Sequence, residues 1–208
     1  MPVYLDNAAT TPVCPQAAQA ALEAMTGGWG NPSSGYAPGQ GAAARLREDR
    51  AVVAKALGCT PQELYFTSCG TEGDNWAIRA ALEHGKRKGR HIVTSAIEHA
   101  AVLEPLKTLE AQGYEVTRLK PDRTGHIDPA ELEEALRPDT VLVSLMLVNN
   151  ELGTLQPVAQ AAEAIRRKGC PALLHTDAVQ AFLKVPFTPV ELGVDLLTVS
   201  GHKIGAPK

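Results

Sequence analysis

A lysine that follows directly on a run of apolar residues is in an unusual place. Residues 196–199 have the length and composition of a buried strand, and Ser200-Gly201-His202-Lys203 comes straight after them. Burying an ammonium group is costly unless its charge is lost or paired. Condensation with an aldehyde removes that cost, and a lysine of lowered pKa is the nucleophile such condensation needs. Other apolar runs end in reactive types as well. Residues 173–176 lead into Asp177, with Gln180 shortly after, and His99 follows the run His91–Ser95 in Ile97-Glu98-His99-Ala100. Residues 64–67 lead into Ser68-Cys69-Gly70-Thr71-Glu72, small and hydroxyl residues at a helix start. Free backbone N–H groups and the helix dipole favour an anion there. Each feature alone also has a plain reading: a solvated loop lysine, an N-capping acid, a tight strand-to-helix turn.

The combination is more informative than its members, because it holds the parts that pyridoxal phosphate requires of a protein. Asp177 can pair with a pyridinium nitrogen and keep the ring electron-withdrawing. The turn at Gly70 and Thr71 can anchor the phosphate, and Lys203 can hold C4′ as a Schiff base. An imidazole such as that of His99 can stack on the ring and move protons near neutral pH.

Such residues must be brought together by an alternation of helices and buried strands. The apolar runs 64–67, 91–95, 141–148, 173–176 and 196–199 read as strands, and helix signals lie between them. Asp128 is placed to cap a helix, with Pro129 first and Glu131 third. Pro157 opens a helix that runs to Arg166-Arg167-Lys168 and is closed by Gly169, and Gly113 closes a helix over residues 101–112. Runs that are apolar throughout suit a sheet covered on both faces. The expected fold class is therefore α/β, with a mainly parallel sheet and helices on both faces. In such sheets ligands bind beyond the carboxyl ends of the strands. Residues 26–41, rich in Gly, Pro and Ser, are expected to form an ordered surface loop near the site.

Bulk properties exclude other classes. The 208 residues carry a formal net charge of −3, which offers no footprint for nucleic acid or anionic lipid. No segment is apolar enough over the length that spans a bilayer, and no signal peptide is visible at the N-terminus. The cysteines Cys14, Cys59, Cys69 and Cys170 are scattered, so neither a disulfide framework nor a zinc site is indicated. A reducing cytoplasm, no membrane and no metal are the expectations.

The sequence resembles the cysteine desulfurases of the class V aminotransferase group, the NifS/IscS-like family. The matching stretches are Tyr4-Leu5-Asp6-Asn7-Ala8-Ala9-Thr10-Thr11, Gly30-Asn31-Pro32-Ser33-Ser34, Phe66-Thr67-Ser68-Cys69-Gly70-Thr71-Glu72, Glu98-His99, Val148-Asn149-Asn150-Glu151-Leu152-Gly153, Asp177-Ala178-Val179-Gln180 and Ser200-Gly201-His202-Lys203. They stand in the family's order. The resemblance implies the large domain of a type I pyridoxal-phosphate fold over residues 1–208, with an N-terminal segment at 1–30. It implies that Lys203 forms the internal aldimine, that Asp177 meets the pyridine nitrogen, and that Gln180 meets the phenolic oxygen. Asn150 would lie by that oxygen and the substrate carboxylate. Gly70, Thr71, Ser200 and His202 would hold the phosphate, and His99 would stack on the ring as proton relay. The implied reaction takes L-cysteine to L-alanine and leaves sulfur as a persulfide on an enzyme cysteine, for delivery to sulfur-acceptor proteins in iron–sulfur cluster assembly and related pathways. A homodimer is implied.

Two departures stand out. Cys69-Gly70 replaces the family's usual Gly-Ala, and Cys69 is expected to be a small packing residue. The chain is also about half the family's usual length, so the sheet's last strand, the arginine for the substrate carboxylate and the sulfur-accepting cysteine are expected outside it. None of Cys14, Cys59 or Cys170 matches that cysteine's position. The fold is thus expected to be incomplete at its C-terminal side, and these residues not to turn over cysteine unaided. Selenocysteine lyase, a class V aminotransferase and a non-catalytic scaffold that binds pyridoxal phosphate are the competing readings.

Overall fold

The computed structural model describes residues 3–208. Its backbone contacts fall into two compact units, one made of residues 67–200 and one made of the chain up to Phe66 together with Gly201–Lys208. The smaller unit holds two helices, α1 (Pro15–Gly27) and α2 (Ala37–Leu57). Proline stands in the first turn of each, where the missing N–H has no helical partner to lose. Gly58, at φ 74°, ends α2 in the left-handed conformation.

The loop expected over residues 26–41 is shorter than its composition suggests, because α1 reaches Gly27 and α2 begins at Ala37. Its glycines serve close packing. A Cβ at Gly39 would lie 2.6 Å from the carbonyl oxygens of Asn31 and Ser34, and one at Gly30 would lie 2.0 Å from that of Pro38. Residues 64–67, expected to be a strand, form no ladder among the described residues. Tyr65 and Phe66 are exposed, and the Arg50 guanidinium covers the Phe66 ring at 4.8 Å. A short apolar run becomes a strand only where a neighbour takes its hydrogen bonds.

The larger unit is a five-stranded, all-parallel sheet in the order β2-β1-β3-β4-β5. The strands are β1 (His91–Ser95), β2 (Glu115–Leu119), β3 (Thr140–Ser144), β4 (Leu173–Asp177) and β5 (Leu196–Thr198). Between them run α3 (Gly70–Gly85), α4 (Ala100–Ala111), α5 (Pro129–Ala135), α6 (Val158–Lys168) and α7 (Pro189–Leu192). The sequence signals for α5 and α6 hold in detail. Asp128 accepts a hydrogen bond from the Ala130 N–H, and Gly169 closes α6 at φ 61°.

Alternate strand residues enter opposite cores, as the pleat requires. Ile92 and Leu142 join Ile78, Leu82, Val102 and Leu106 under α3 and α4. Val93, Val143 and Leu174 join Leu132, Val158 and Ala161 under α5 and α6. Both faces are therefore covered, which is why β1 and β3 are buried throughout. The run 141–148 is only partly strand. Beyond Ser144 it continues as buried extended chain, with the Leu145 and Leu147 N–H groups donating to the carbonyls of His175 and Asp177. The edge strand β2 carries no sequence signal of burial, since Glu115 and Arg118 interrupt it.

Helix α3 approaches β3 closely because residue 85 has no side chain. A Cβ there would lie 2.5 Å from the Val141 Cβ. Gly85→Ala is expected to lower the unfolding free energy by about 1–3 kcal/mol, as overpacking does. Urea denaturation checks this, and an unchanged midpoint contradicts the close approach.

Candidate active site

The carboxyl ends of the strands in the larger unit carry a concentration of buried polar groups, among them Ser144, His175, Asp177 and Thr198. On β4, His175 and Asp177 share the face toward α3, because side chains alternate along a strand and Leu174, just before His175, points to the other core. His175 is fully buried. Its Nδ1 lies 2.9 Å from the Ser144 hydroxyl and its Nε2 lies 3.1 Å from the Thr198 hydroxyl. Burial pushes its pKa down to about 4, so the ring is neutral. The Asp177 side chain, buried at the last position of β4, accepts a hydrogen bond from the Val179 N–H at 2.9 Å.

Two more buried acids surround Asp177. Asp74, from α3, is hydrogen-bonded to Thr198, and burial, with the charge of Asp177 next, raises its pKa to about 8. Glu98 accepts hydrogen bonds from the Ser95 hydroxyl at 2.5 Å and the Met146 N–H at 3.0 Å. Burial chiefly, and Asp177 in small part, raise Glu98 to about 8 also. One oxygen of each, Asp74 Oδ1 and Glu98 Oε2, has no hydrogen bond among the described residues.

The turn after β4, the end of β5 and the start of α3 meet at Gly70. A Cβ on Gly70 would lie 3.2 Å from the Val179 Cγ2 and 3.5 Å from the Ser200 Cβ. Ser200 is half-buried, and Thr71 is exposed in the first turn of α3. Cys69 is a correction, since it is exposed rather than packed. The Glu72 N–H, and then the Ser68 hydroxyl, hold its thiol below the ordinary cysteine range.

His99 is the exposed N-cap of α4. Its Nδ1 accepts from the Ala101 N–H at 3.1 Å, which leaves the ring proton on Nε2. A cleft between α3 and α4 is lined by Thr71, Asn75 and His99. Gln180 is half-buried, with its Oε1 accepting from the Lys184 ammonium at 3.1 Å. Asn150 is half-buried in the turn shaped by its neighbour Asn149, whose side chain bonds the Ile97 carbonyl and the Glu151 and Leu152 N–H groups.

His202 and Lys203 belong to the smaller unit, in a single 3-10 turn, Gly201–Lys203. The N-terminal motif seats them there. The His202 carbonyl accepts from the Thr11 N–H at 3.0 Å and the Thr11 hydroxyl at 2.8 Å, and the Thr10 hydroxyl lies 3.1 Å from His202 Nδ1. The Lys203 ammonium donates to the carbonyls of Ala8 and Ala9, the latter at 2.8 Å. Burial, then the charge of Lys203, lowers the His202 pKa.

Sequence reasoning assigned no role to Asp74, His175 or Glu98. The signal that was present is a polar residue inside a stretch that must be buried, which needs a partner wherever it occurs. Among the described residues no group of three or more His, Cys, Asp or Glu side chains converges to hold a metal ion, and no helix is long and apolar enough to cross a membrane.

Comparison with known proteins adds to this geometry. Residues 3–208 match the family model described as aminotransferase class-V. The cysteine desulfurase IscS of Methanosarcina thermophila is 47% identical over 206 residues, which are 99% of this chain and 50% of that protein. A solved NifS-like protein superposes with a TM-score of 0.96 at 40% identity, over 100% of this chain and 57% of that one. The structure of SspA in complex with cysteine superposes with a TM-score of 0.92 at 36% identity, over 99% of this chain and 58% of that one. The chain thus spans about half the length of the curated relatives it matches.

The buried acids set a pH dependence. In the folded state Asp74 and Glu98 keep their protons up to pH about 8, whereas the unfolded chain loses them near 3.8 and 4.5. Folding therefore weakens as pH rises through that window. His175 acts oppositely, but only between about 4 and its ordinary 6.5. Above pH about 7 the acids are left to dominate this site, and stability should fall toward pH 8 by at most about 1.4 kcal/mol per pH unit per proton. Glu98→Gln should flatten that fall in denaturant titrations across the window. An unaltered slope contradicts the burial of a protonated Glu98.

Proposed function

This chain belongs to the class V aminotransferase family, and on that premise we propose that it is the cofactor-holding part of a pyridoxal-phosphate-dependent cysteine desulfurase. The observation that carries the proposal is the meeting of Gly70, Val179 and Ser200 beside the buried terminal carboxylate of β4. The cradle fits the cofactor. Residue 70 has no side chain to fill the space between the start of α3 and Ser200, and the N-terminal end of the helix turns its dipole toward a phosphate. When bound, pyridoxal phosphate supplies an electron sink for the α-carbon of an amino acid.

Each residue then has a task. Gly70, Thr71 and Ser200 hold the phosphate, and His202 is assigned with them. Asp177 holds a proton at the ring nitrogen, and Asp74 and Glu98, being protonated at neutral pH, do not compete for it. Gln180 donates its amide N–H to the phenolic oxygen while its Oε1 is engaged by Lys184. His99, with Nδ1 committed to the Ala101 N–H, presents Nε2 for stacking and proton transfer. Asn150 is assigned to the substrate carboxylate. Lys203 lies in the other compact unit, and its assignment as the covalent attachment comes from the motif Ser200-Gly201-His202-Lys203.

The substrate in this proposal is L-cysteine, supported by the names of the relatives and by the cysteine in the SspA structure. The products are L-alanine and sulfur, which passes through an enzyme persulfide to acceptor proteins serving iron–sulfur cluster assembly. A homodimer in the cytoplasm belongs to the same reading. In the full-length protein, L-cysteine with a thiol reductant should yield alanine and sulfide in equal amounts. Lys203→Ala should abolish both products and the visible absorbance of the covalently held cofactor. Retention of that band in the variant would contradict the assignment of Lys203, and absence of alanine from the unaltered protein would contradict the activity.

A further inference from the structure

Asp74 is the fifth residue of α3, too far inside the helix to cap it, and it is 1% exposed. A carboxyl group there is costly to the fold, and an apolar side chain of similar size would pack at lower cost. Its surroundings say what it does instead. The carboxyl is hydrogen-bonded to Thr198, and its Oδ1 lies 3.5 Å from His175 Nε2. Thr198 is the register partner of Asp177 across β4 and β5, and its hydroxyl also meets His175 Nε2 at 3.1 Å. His175 stands two residues before Asp177 on the same face of β4, and its Nδ1 is held by Ser144 of β3. Asp74, Thr198 and His175 thus tie α3, β5, β4 and β3 together directly behind Asp177. Residue 73 makes the approach possible, since a Cβ there would lie 2.8 Å from the Thr198 Cγ2.

We infer that Asp74 is a positioning residue for Asp177, fixing through Thr198 and His175 the carboxylate that recognises the ring nitrogen of pyridoxal phosphate. The inference rests on the reading of Asp177 given above. The ionisable groups packed about Asp74 include Asp177 and His175 from β4, Glu98 from the loop before α4 and the Cys69 thiol before α3, and Glu98 is within electrostatic reach of Asp177 as well. Asp74 acts as an uncharged group, because burial and the Asp177 charge keep its proton on. An amide of the same shape can therefore stand in for it, whereas a methyl group cannot.

Two ligands separate positioning from mere structural support: pyridoxal phosphate, and its analogue with carbon in place of the ring nitrogen, which gives Asp177 nothing to recognise. Dissociation constants are measured by fluorescence on the full-length protein, and thermal unfolding reports whether each variant folds. Asp74→Ala should weaken pyridoxal phosphate by about tenfold and the analogue by less than about twofold. Asp74→Asn should bind pyridoxal phosphate within about threefold of the unaltered protein. Equal losses for both ligands, no loss for either, or an Asn variant as weak as the Ala variant overturns the inference. If Asp74→Ala does not fold, Thr198→Val is subject to the same comparison and the same criteria. Asp177→Ala is the control. It should lose the preference for the ring nitrogen outright, and if it does not, the reading of Asp177 falls first and takes the role of Asp74 with it.

Discussion

Carboxylates repel one another strongly where water is excluded, and Asp74, Glu98 and Asp177 lie within electrostatic reach of each other in such a place. The conflict is resolved by unequal surroundings. Burial drives Asp74 and Glu98 to keep their protons, and Asp177 stands at the strand end, where its side chain accepts the Val179 N–H. Acids pushed to different protonation states by their environments are a mark of functional sites. Here the two acids with raised pKa values stand beside the carboxyl group proposed to recognise a ring nitrogen.

The sheet supplies the rigidity this arrangement needs. Parallel pairing of β3, β4 and β5 places Ser144, His175 and Thr198 so that one imidazole bonds two hydroxyls from neighbouring strands. The glycines at 73 and 85 let α3 come down onto β5 near its start and onto β3 at its end. In the smaller unit, one threonine does comparable work. Thr11 donates to the His202 carbonyl and accepts from the Gly205 N–H at 2.8 Å, which secures the turn that carries Lys203.

Much of this was legible in the sequence, for reasons that differ by residue. Strands buried on both faces declare themselves by unbroken apolar runs, so β1, β3, β4 and β5 were found and the α/β class followed. Caps at Asp128 and Gly169 were legible because their chemistry is local. The edge strand β2 was not, since half of it faces outward. Residues 64–67 had the composition of a strand but join no ladder among the described residues, which only the fold reveals. The chemistry-bearing residues were found because they follow strand ends or stand in recognisable motifs. Their supports, Asp74 and His175, were missed because burial, the property that makes them unusual, is not written in residue type. Cys69 was misread for the converse reason, since a small residue at a helix start is not thereby buried.

The chain spans about half the length of the curated relatives it matches, and the catalytic cycle proposed for it is correspondingly a proposal about a larger assembly. The claim that stands closest to the observed geometry concerns Asp177 alone. Nitrogen NMR of the protein loaded with pyridoxal phosphate labelled at the ring nitrogen reads that claim directly. The account predicts the shift of a protonated pyridinium, held unchanged while the pH is raised from about 6 to 8, because an anionic Asp177 stabilises the cation throughout. A shift that matches unprotonated pyridine, or that titrates as the free cofactor does, would contradict it.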